Sequence, residues 1–341
     1  MSLPRVSIVM SVYNNVSDLP KALESIRSQT LRDWELILVN DGSTDGSGEL
    51  MDRAATNDSR IRVIHQANAG LGPALHNGCK TATAELIARQ DADDWSEPKR
   101  LELQVEHMSK RSDVVLCGTW AWFDHPSYGR QYSLRMPDDD STLRGLLTRG
   151  VNPFVHGSCI YRTAAYRQSG GYRFRRFEDI DLWLRLSQLG KFGIVESEQY
   201  NYLISPGGIS INYSHHAAAL GALSLSLHRE RTSAGCESTD WRDAHDRILA
   251  EKPPALPSAE RDTVDYYLQG IRSLKRRRYE ECLEFLSKAA RGVGPCAASA
   301  RRFSWIAGMP GFVQSLCLSM LRRAAQWRNG HQLEPFIHYV P

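Results

Sequence analysis

The first 120 residues alternate short apolar runs with segments in which apolar residues recur at helical spacing. Such runs are typical of strands buried on both faces, and the segments between them fit covering helices. We predict strands over 6–13, 34–41, 61–67 and 84–91, each followed by a helix. The alternation predicts an α/β fold with a Rossmann-like, mostly parallel sheet flanked by helices.

The pattern changes further along the chain. The segment "GSTDGS" predicts a helix with Ser43 as its N-cap. A strong strand is predicted over 113–123, and 124–150 reads as loop and short helix. Beyond about residue 214 the strand pattern ends and helical patterns take over. We therefore predict a sheet domain over 1–213 and a helical C-terminal region over 214–341.

Charge is uneven although the net charge of the 341 residues is only +3. Residues 270–328 hold twelve Lys and Arg against three Asp and Glu. This excess fits a solvated helix face that packs on the rest of the chain or on a second subunit. It also fits an interfacial helix at an anionic membrane surface. A peripheral membrane contact and a homo-oligomer both stay open.

The spacing of the cysteines and the hydropathy of the chain indicate in which cellular compartment the protein is expected. Seven cysteines are scattered singly without a CxxC pair, which fits reduced thiols in the cytoplasm. The N-terminus does not resemble a signal peptide, and no apolar stretch is long and uninterrupted enough to predict a spanning helix. We expect a cytoplasmic protein, with the inner face of the plasma membrane as the alternative location.

Three predicted strands end in unusual polar chemistry. The first ends in "SVYNN", the second in "NDGSTD" and the fourth in "DADD". Each segment alone reads as a turn. Because the carboxyl ends of parallel strands meet at one edge of a sheet, together they predict a ligand site.

The segment "DADD" crowds Asp91, Asp93 and Asp94 into four residues, where like charges repel. A calcium loop of the EF-hand type is excluded, because Trp95 and Ser96 occupy its fifth and sixth positions. A solvated acidic loop and a hard-cation site remain. In an extended segment Asp91 and Asp93 share one side, where their oxygens suit Mg²⁺ or Mn²⁺. Such an ion completes its coordination with phosphates and water, so this alternative implies a phosphorylated ligand.

Five motifs together resemble a known family. They are "SIVMSVYNN", "LILVNDGSTDGS", "NAGLGPALHNG", "DADDWSEPKRLELQV" and "FEDIDLWLRL", and they follow the order seen in family-two, inverting glycosyltransferases of the GT-A type. The resemblance covers residues 4–213, with a nucleotide-binding half over 1–98 and an acceptor half over 99–213. It implies a nucleotide-diphospho-sugar donor, with UDP favoured, and Mn²⁺ or Mg²⁺ as cofactor.

The resemblance implies donor-side roles for seven positions. These are Ser11, Tyr13 and Asn14 at the base and ribose, Asp41 at the base, Asp91 at the ribose or at the metal with its bound water, Asp93 at the metal, and Asp94 at the donor sugar or as a loop stabiliser.

The motif "FEDIDLW" carries the implied chemistry on the acceptor side. Asp179 matches the general base, with Asp181 as the alternative, and Glu178 beside it orients substrate or loop. Simple placement of acidic residues at a helix start is the competing interpretation. His156 and Trp183 fall on the acceptor side, although a buried structural histidine is an equal alternative for His156.

Some features depart from the family pattern. Relatives carry a donor-contacting arginine where this chain has Leu75 and His76, so His76 either replaces it or is a surface residue. No QxxRW motif appears, which argues against a processive membrane synthase.

We expect transfer of one sugar from the donor to a saccharide or lipid-linked acceptor, in surface polysaccharide or glycoconjugate biosynthesis. The alternatives are a sugar-phosphate nucleotidyltransferase and a catalytically silent carbohydrate-binding or assembly protein on the same fold. The first is disfavoured because "SVYNNVSD" lacks a Gly-rich, basic phosphate loop.

Overall fold

The computed structural model describes residues 3–127, 129–204, 214–250, 273, 279–292 and 337–339. The chain forms two compact units, one of residues 1–251 with 336–338, the other of residues 252–335 with 339–341. The boundary that we placed at residue 213 stays a prediction.

Ten strands, ten α-helices and one 3-10 helix, His156–Ser158, lie in the described residues. The strands are β1 Val6–Val12, β2 Trp34–Asp41, β3 Ile61–Gln66, β4 Leu86–Arg89, β5 Trp95–Ser96, β6 Val114–His125, β7 Gly129–Leu134, β8 Ile160–Arg162, β9 Lys191–Leu203 and β10 Ile337–Tyr339. The helices are α1 Leu19–Arg27, α2 Ser47–Asn57, α3 Leu71–Lys80, α4 Arg100–Lys110, α5 Asp140–Leu147, α6 Thr163–Gln168, α7 Glu178–Leu186, α8 Ser214–Ala234, α9 Trp241–Ala250 and α10 Tyr279–Ala290.

The strands form one mixed sheet in the order β10-β7-β6-β8-β4-β1-β2-β3. Strands β3, β2, β1 and β4 pair in parallel, so the parallel prediction holds for this half. Strand β8 runs antiparallel to β4 and β6, and β9 pairs in parallel with β6 and antiparallel with β5. The core lies between β1, β2 and β4 and the helices α1, α2 and α4, and is built of their Ile, Leu, Val and Met side chains. The carboxyl ends of β1, β2 and β4 therefore meet at one edge.

Three local predictions were wrong. Strand β7 lies inside 124–150, and the long strand β9 was not predicted. Both carry polar residues through their length and are defined by hydrogen bonding to β6 or β5, which a local pattern does not report. Helix α2 begins at Ser47 because Gly46 adopts a left-handed φ of 95° just before it. Ser43 is therefore not its N-cap.

No helix in the described part of the chain is long and apolar enough to span a membrane. Of the basic stretch over 270–328, the structure describes only residues 273 and 279–292. The predicted roles of that stretch therefore lie mostly outside the described residues.

Candidate functional site

Hydrogen bonds from backbone amides to side chains join the ends of β1 and β2 to each other and to the acidic loop after β4. The Asn14 amide donates to Ser43 Oγ at 3.1 Å, and the Thr44 amide donates to Asn14 Oδ1 at 2.8 Å. Asn14 has a φ of 49°, a conformation that asparagine adopts more readily than most residues. With its amide oriented to satisfy both neighbours, Asn15 accepts from the Asp93 amide at 3.2 Å. The three predicted strand ends thus share one site.

The residues predicted to bind the base differ in exposure and in the hydrogen bonds that they already make. Tyr13 is 54% exposed, so its ring is open for stacking, and Ser11 is partly buried nearby on β1. Asp41 is 2% exposed, and its carboxylate accepts from the Ala69 and Gly70 amides at 2.8 and 2.9 Å and from a side-chain amide of β3. Asp41 therefore holds the loop after β3, and its predicted contact with the base stays a prediction.

A buried arginine lies under the acidic loop. Arg89 is fully buried, and its Nη2 lies 2.5 Å from Asp91 Oδ1. Burial would lower the pKa of Arg89, but the Asp91 charge raises it above its ordinary value. The Asp91 amide donates to the Tyr200 hydroxyl at 3.1 Å. Asp91 is therefore already neutralised by a protein cation.

Asp93 is the partly exposed carboxylate in this loop without such a partner among the described residues. Its side chain makes no ion pair with the described residues and is partly exposed. Burial and the Asp91 charge raise its pKa to about 6. In the described chain no three His, Cys, Asp or Glu side chains cluster as a complete metal site. A cation held at Asp93 would therefore take further ligands from outside the protein, as the two-carboxylate prediction requires.

Asp94 has a structural partner. It is 1% exposed, and its Oδ1 accepts from the Leu203 amide at 2.7 Å while Oδ2 has no partner among the described residues. Burial, then the charges of Asp93 and Asp91, raise its pKa well above the usual range. This burial supports the loop-stabilising alternative for Asp94, which ties the acidic loop to the end of β9.

The second acid cluster begins helix α7. Phe177, just before it, holds a left-handed φ of 54°, a strained conformation for an aromatic residue. Asp179 Oδ2 accepts from Asn152 Nδ2 at 2.6 Å, and Oδ1 accepts from the Ile180 amide at 2.8 Å. Burial raises the pKa of Asp179, and the neighbouring His156 partly offsets this. A carboxylate with a raised pKa is suited to accept a proton.

Glu178 and His156 form a buried pair beside Asp179. Glu178 is 2% exposed, and its Oε1 lies 3.3 Å from His156 Nδ1. The other ring nitrogen, Nε2, lies 2.7 Å from the Tyr172 hydroxyl. His156 is thus held from both sides, next to the predicted base.

Two acceptor-side predictions need correction. Trp183 is fully buried, and its ring packs edge-on against Phe154 and His156, so no acceptor can touch it in this structure. Asp181, the alternative base, is also fully buried and pairs with Arg173 at 2.6 Å and Arg185 at 2.7 Å. Although burial would raise the pKa of Asp181, these arginines lower it. Both side chains support the site from beneath.

The turn that carries His156 joins the two clusters. A Cβ at Gly157 would collide with the Tyr200 hydroxyl and would lie 2.6 Å from Asp91 Oδ2. Only glycine therefore lets this turn approach the acidic loop while His156 reaches Glu178. Arg89 also interacts electrostatically with both clusters, because the charges of Asp91 and Glu178 each raise its pKa. Sequence reasoning missed this junction, since its members come from four separate segments.

The surroundings of His76 and of Arg175 complete the description of the site, and Arg175 was not predicted from the sequence. The Nδ1 of His76 lies 2.9 Å from the Tyr166 hydroxyl, and replacement of the family's arginine by His76 stays a prediction. Burial lowers the pKa of His76. Arg175 is exposed, and its Nε donates to the Ala69 carbonyl at 3.1 Å, on the loop that Asp41 holds. The basic run "RFRRFED" was the available signal.

Comparisons with known proteins agree with this architecture. The model of the family described as glycosyl transferase family 2 matches residues 7–170. EpsE of Bacillus subtilis (strain 168), named as a glycosyltransferase, is 40% identical over 55% of this chain and 68% of its own. The amylovoran biosynthesis glycosyltransferase AmsE of Erwinia amylovora is 32% identical over 54% of this chain and 70% of its own.

Among solved structures, TarS 1-349 of S. aureus in complex with UDP aligns with a TM-score of 0.54 at 14% identity. That alignment covers 96% of this chain and 92% of TarS 1-349, and supports the GT-A fold. The sequence resemblance and the fold class are both confirmed. The chain therefore belongs to glycosyl transferase family 2 and is a glycosyltransferase.

Proposed function

We propose that this enzyme transfers a single sugar from a UDP-sugar to an acceptor hydroxyl, with inversion and with Mn²⁺ or Mg²⁺. One observation carries the proposal. Two adjoining clusters each contain a partly exposed carboxylate with a raised pKa, Asp93 in the acidic loop and Asp179 at the start of α7. Transfer with inversion needs one cluster to hold the donor and one to deprotonate the acceptor.

On the donor side, we assign Asp93 to the divalent ion, with Asp91 beside it. The fit rests on Asp93, a hard oxygen donor without a protein cation partner, whereas Asp91 is paired with Arg89. When bound, the ion neutralises the negative charge that develops on the departing nucleoside diphosphate. Arg175 would supply a second positive charge near the loop that Asp41 holds. Tyr13 would stack on the base, next to Asn14 and Ser11.

On the acceptor side, we assign Asp179 as the general base. The acceptor oxygen forms a bond to the anomeric carbon, the bond from that carbon to the diphosphate oxygen breaks, and the hydroxyl proton passes to Asp179. Asn152 orients Oδ2 of this carboxylate. Glu178, His156 and Tyr172 act as positioning residues, through the close pair of Glu178 with His156 and the contact of His156 with the Tyr172 hydroxyl. A single displacement of this kind inverts the anomeric configuration.

The donor and the pathway follow by analogy with the relatives. TarS was solved with UDP and with UDP-GlcNAc, and the name of AmsE assigns it to amylovoran biosynthesis. We extend these to a UDP-sugar donor and to polysaccharide biosynthesis for this chain. We also assign it to the cytoplasm, since Cys79, Cys117, Cys159, Cys236 and Cys282 are all free thiols.

A donor panel tests the proposal. UDP-, GDP- and TDP-sugars are incubated with the full chain, with and without Mn²⁺, and released nucleotide is measured. We expect metal-dependent release of UDP, and proton NMR of the transfer product should show the inverted anomeric configuration. Retained configuration would contradict the mechanism. Pyrophosphate release from a nucleoside triphosphate and a sugar phosphate, without hydrolysis of any nucleotide sugar, would support the nucleotidyltransferase instead.

A further inference from the structure

Helix α9 packs against the segment of residues 173–175, which lies between α6 and α7. Trp241 and His245 stand four residues apart on α9, so they share one face of that helix. The Phe174 ring lies against both, with centroid distances of 5.9 Å to Trp241 and 4.8 Å to His245. Helix α9 therefore holds this segment through two aromatic contacts.

A hydrogen bond also joins α9 to the backbone of the segment. The Arg175 amide donates to His245 Nε2 at 3.2 Å, and His245 is only 2% exposed. Because an amide can only donate, Nε2 must be the ring nitrogen without a proton. The proton is then on Nδ1, which lies 3.2 Å from Asp246 Oδ1. His245 can therefore hold Arg175 only while its imidazole is neutral.

The same segment contacts the donor-side loop after β3. The Gly72 amide donates to the Arg175 carbonyl at 3.2 Å, and Arg175 Nε donates to the Ala69 carbonyl at 3.1 Å. A Cβ at Gly72 would collide with the Phe174 carbonyl, so glycine is required for this approach. Asp41 holds the Ala69 amide from the end of β2. A continuous series of contacts thus runs from α9 through Arg175 to the donor side.

Arg175 combines a fixed backbone with an exposed side chain. Its amide, its carbonyl and its Nε are each hydrogen-bonded, and its two Nη groups make no hydrogen bond to a described residue. A guanidinium with free N–H groups binds phosphate oxygens well. Because its backbone is already ordered, less conformational freedom is lost when such a ligand binds.

We propose that His245 is a positioning residue for the donor, because it holds Arg175 where the guanidinium meets the diphosphate of the UDP-sugar. This rests on the proposed function, which assigns Arg175 to the donor side. His245 acts through Arg175 and does not touch the donor. Helix α9 thus contributes to donor binding, although it lies beyond residue 213, where the family resemblance ends.

Three variants separate the hydrogen bond from the packing. His245→Leu keeps an apolar side chain against Phe174 but cannot accept from the Arg175 amide. His245→Gln restores an acceptor, because its amide oxygen can reach the position of Nε2, and it does not titrate. Arg247→Gln is the control, since that exposed residue on the same helix pairs with Asp243.

UDP affinity is measured by calorimetry on the full chain with Mn²⁺, at about pH 8, where histidine is neutral. We expect His245→Leu to weaken UDP binding about tenfold, the scale of one hydrogen bond to a charged group, and the other two variants to stay within about twofold. In an Arg175→Gln background, His245→Leu should cause no further loss. Losses that add in the double variant would overturn the proposal, because His245 would then act independently of Arg175.

The pH dependence of UDP affinity is a readout that packing alone does not change. Burial lowers the pKa of His245, the Asp246 carboxylate on the same helix partly offsets this, the Arg175 charge lowers it further and the Asp181 charge on α7 raises it. Protonation removes the acceptor, so wild-type affinity should fall relative to His245→Gln as the pH drops below about 6.5. Asp93 and the terminal phosphate of UDP titrate in both proteins and cancel in the comparison. A ratio of the two affinities that is constant with pH would overturn the proposal, and this comparison does not depend on the folding of His245→Leu.

The outcomes separate this proposal from the proposed function. Absence of UDP binding by the wild type, with and without Mn²⁺, would reject the proposed function and the donor role of Arg175 with it. Equal UDP binding by the wild type and His245→Leu would overturn the positioning role of His245 alone.

Discussion

The acidic loop after β4 and the start of α7 use similar residues in different ways. In the loop, three carboxylates share one buried cation, Arg89, which pairs with Asp91. At the start of α7, Asp181 forms ion pairs with two arginines, and Glu178 lies against His156. Each cluster pairs one carboxylate with arginine and contains a partly exposed carboxylate with a raised pKa, Asp93 in the loop and Asp179 at the start of α7. Asp93 lacks a cation, whereas Asp179 is held in place by an amide.

This difference shows why a count of acidic residues does not identify a site. A carboxylate with two arginines, such as Asp181, stabilises the fold and cannot readily accept a proton. A carboxylate without a cation is costly for the fold and available for a ligand. The comparison predicts that substitutions within one cluster will have unequal effects.

The largest expected effect is on transfer, from Asp179→Asn. The amide keeps the size of the side chain but cannot accept the acceptor's proton, so kcat should fall about 10²- to 10⁴-fold. UDP affinity in the presence of Mn²⁺ should stay within about twofold. Asp243→Asn is the control, because that carboxylate is exposed and pairs with Arg247. A transfer rate near that of the control would move the base to another residue.

Next in size is the loss of stability from Arg89→Met. Methionine keeps the apolar stem and leaves Asp91 without its buried partner, which should lower the free energy of unfolding by about 3 kcal/mol. The matched control is Arg247→Met, where an exposed pair with Asp243 is lost at a cost of under about 1 kcal/mol. Denaturant unfolding measures both. Similar losses in the free energy of unfolding for the two variants would show that Arg89 contributes no more to stability than an exposed arginine does.

The pH dependence of kcat sharpens the account of Asp179. The base works when deprotonated, so kcat should fall as the pH drops through its pKa. Because burial raises that pKa, the acidic limb should lie above the ordinary aspartate range of about 3.9. His156 lowers this pKa, so His156→Gln should move the limb to higher pH. The profile is recorded at saturating donor and metal. An acidic limb at the same pH in the wild type and in His156→Gln would contradict the interaction between His156 and Asp179.

The smallest effect is expected from Asp94→Asn. The amide oxygen can still accept from the Leu203 amide, so activity should stay within about threefold of the wild type. The raised pKa of Asp94 means that ionisation costs stability as the pH rises above the usual aspartate range. Asparagine avoids this cost, so the variant should gain stability over the wild type with rising pH. Asp94→Ala, which loses the hydrogen bond, should lower the free energy of unfolding by about 1–2 kcal/mol.

Much of the first half of the fold could be predicted from sequence, because its signals are local. The predicted strand over 34–41 is β2 without change, and the other three early strands differ only at their ends. The start of α2 could not be placed, because it depends on the left-handed Gly46. Strands β7 and β9 were missed because pairing with other strands, and not their own pattern, defines them.

The site shows the same limit. The acidic positions could be chosen from sequence because three carboxylates crowd together directly after an apolar run and because the order of the motifs resembles that of a known family. Two of their partners could not, because Asn152 and Tyr200 reach them from other parts of the fold. The burial of Trp183 was missed because Asp179 and Asp181 stand four and two residues before it in the motif, while its neighbours in space are aromatic.

The central claim is that Asp93 serves the donor and Asp179 serves the acceptor. Calorimetric titration of UDP, with and without Mn²⁺, into the wild type, Asp93→Asn and Asp179→Asn tests it most directly. We predict that Mn²⁺ strengthens UDP binding to the wild type and to Asp179→Asn, and that Asp93→Asn loses about 100-fold of this gain. Full metal-dependent binding by Asp93→Asn, or its loss in Asp179→Asn alone, would contradict the account.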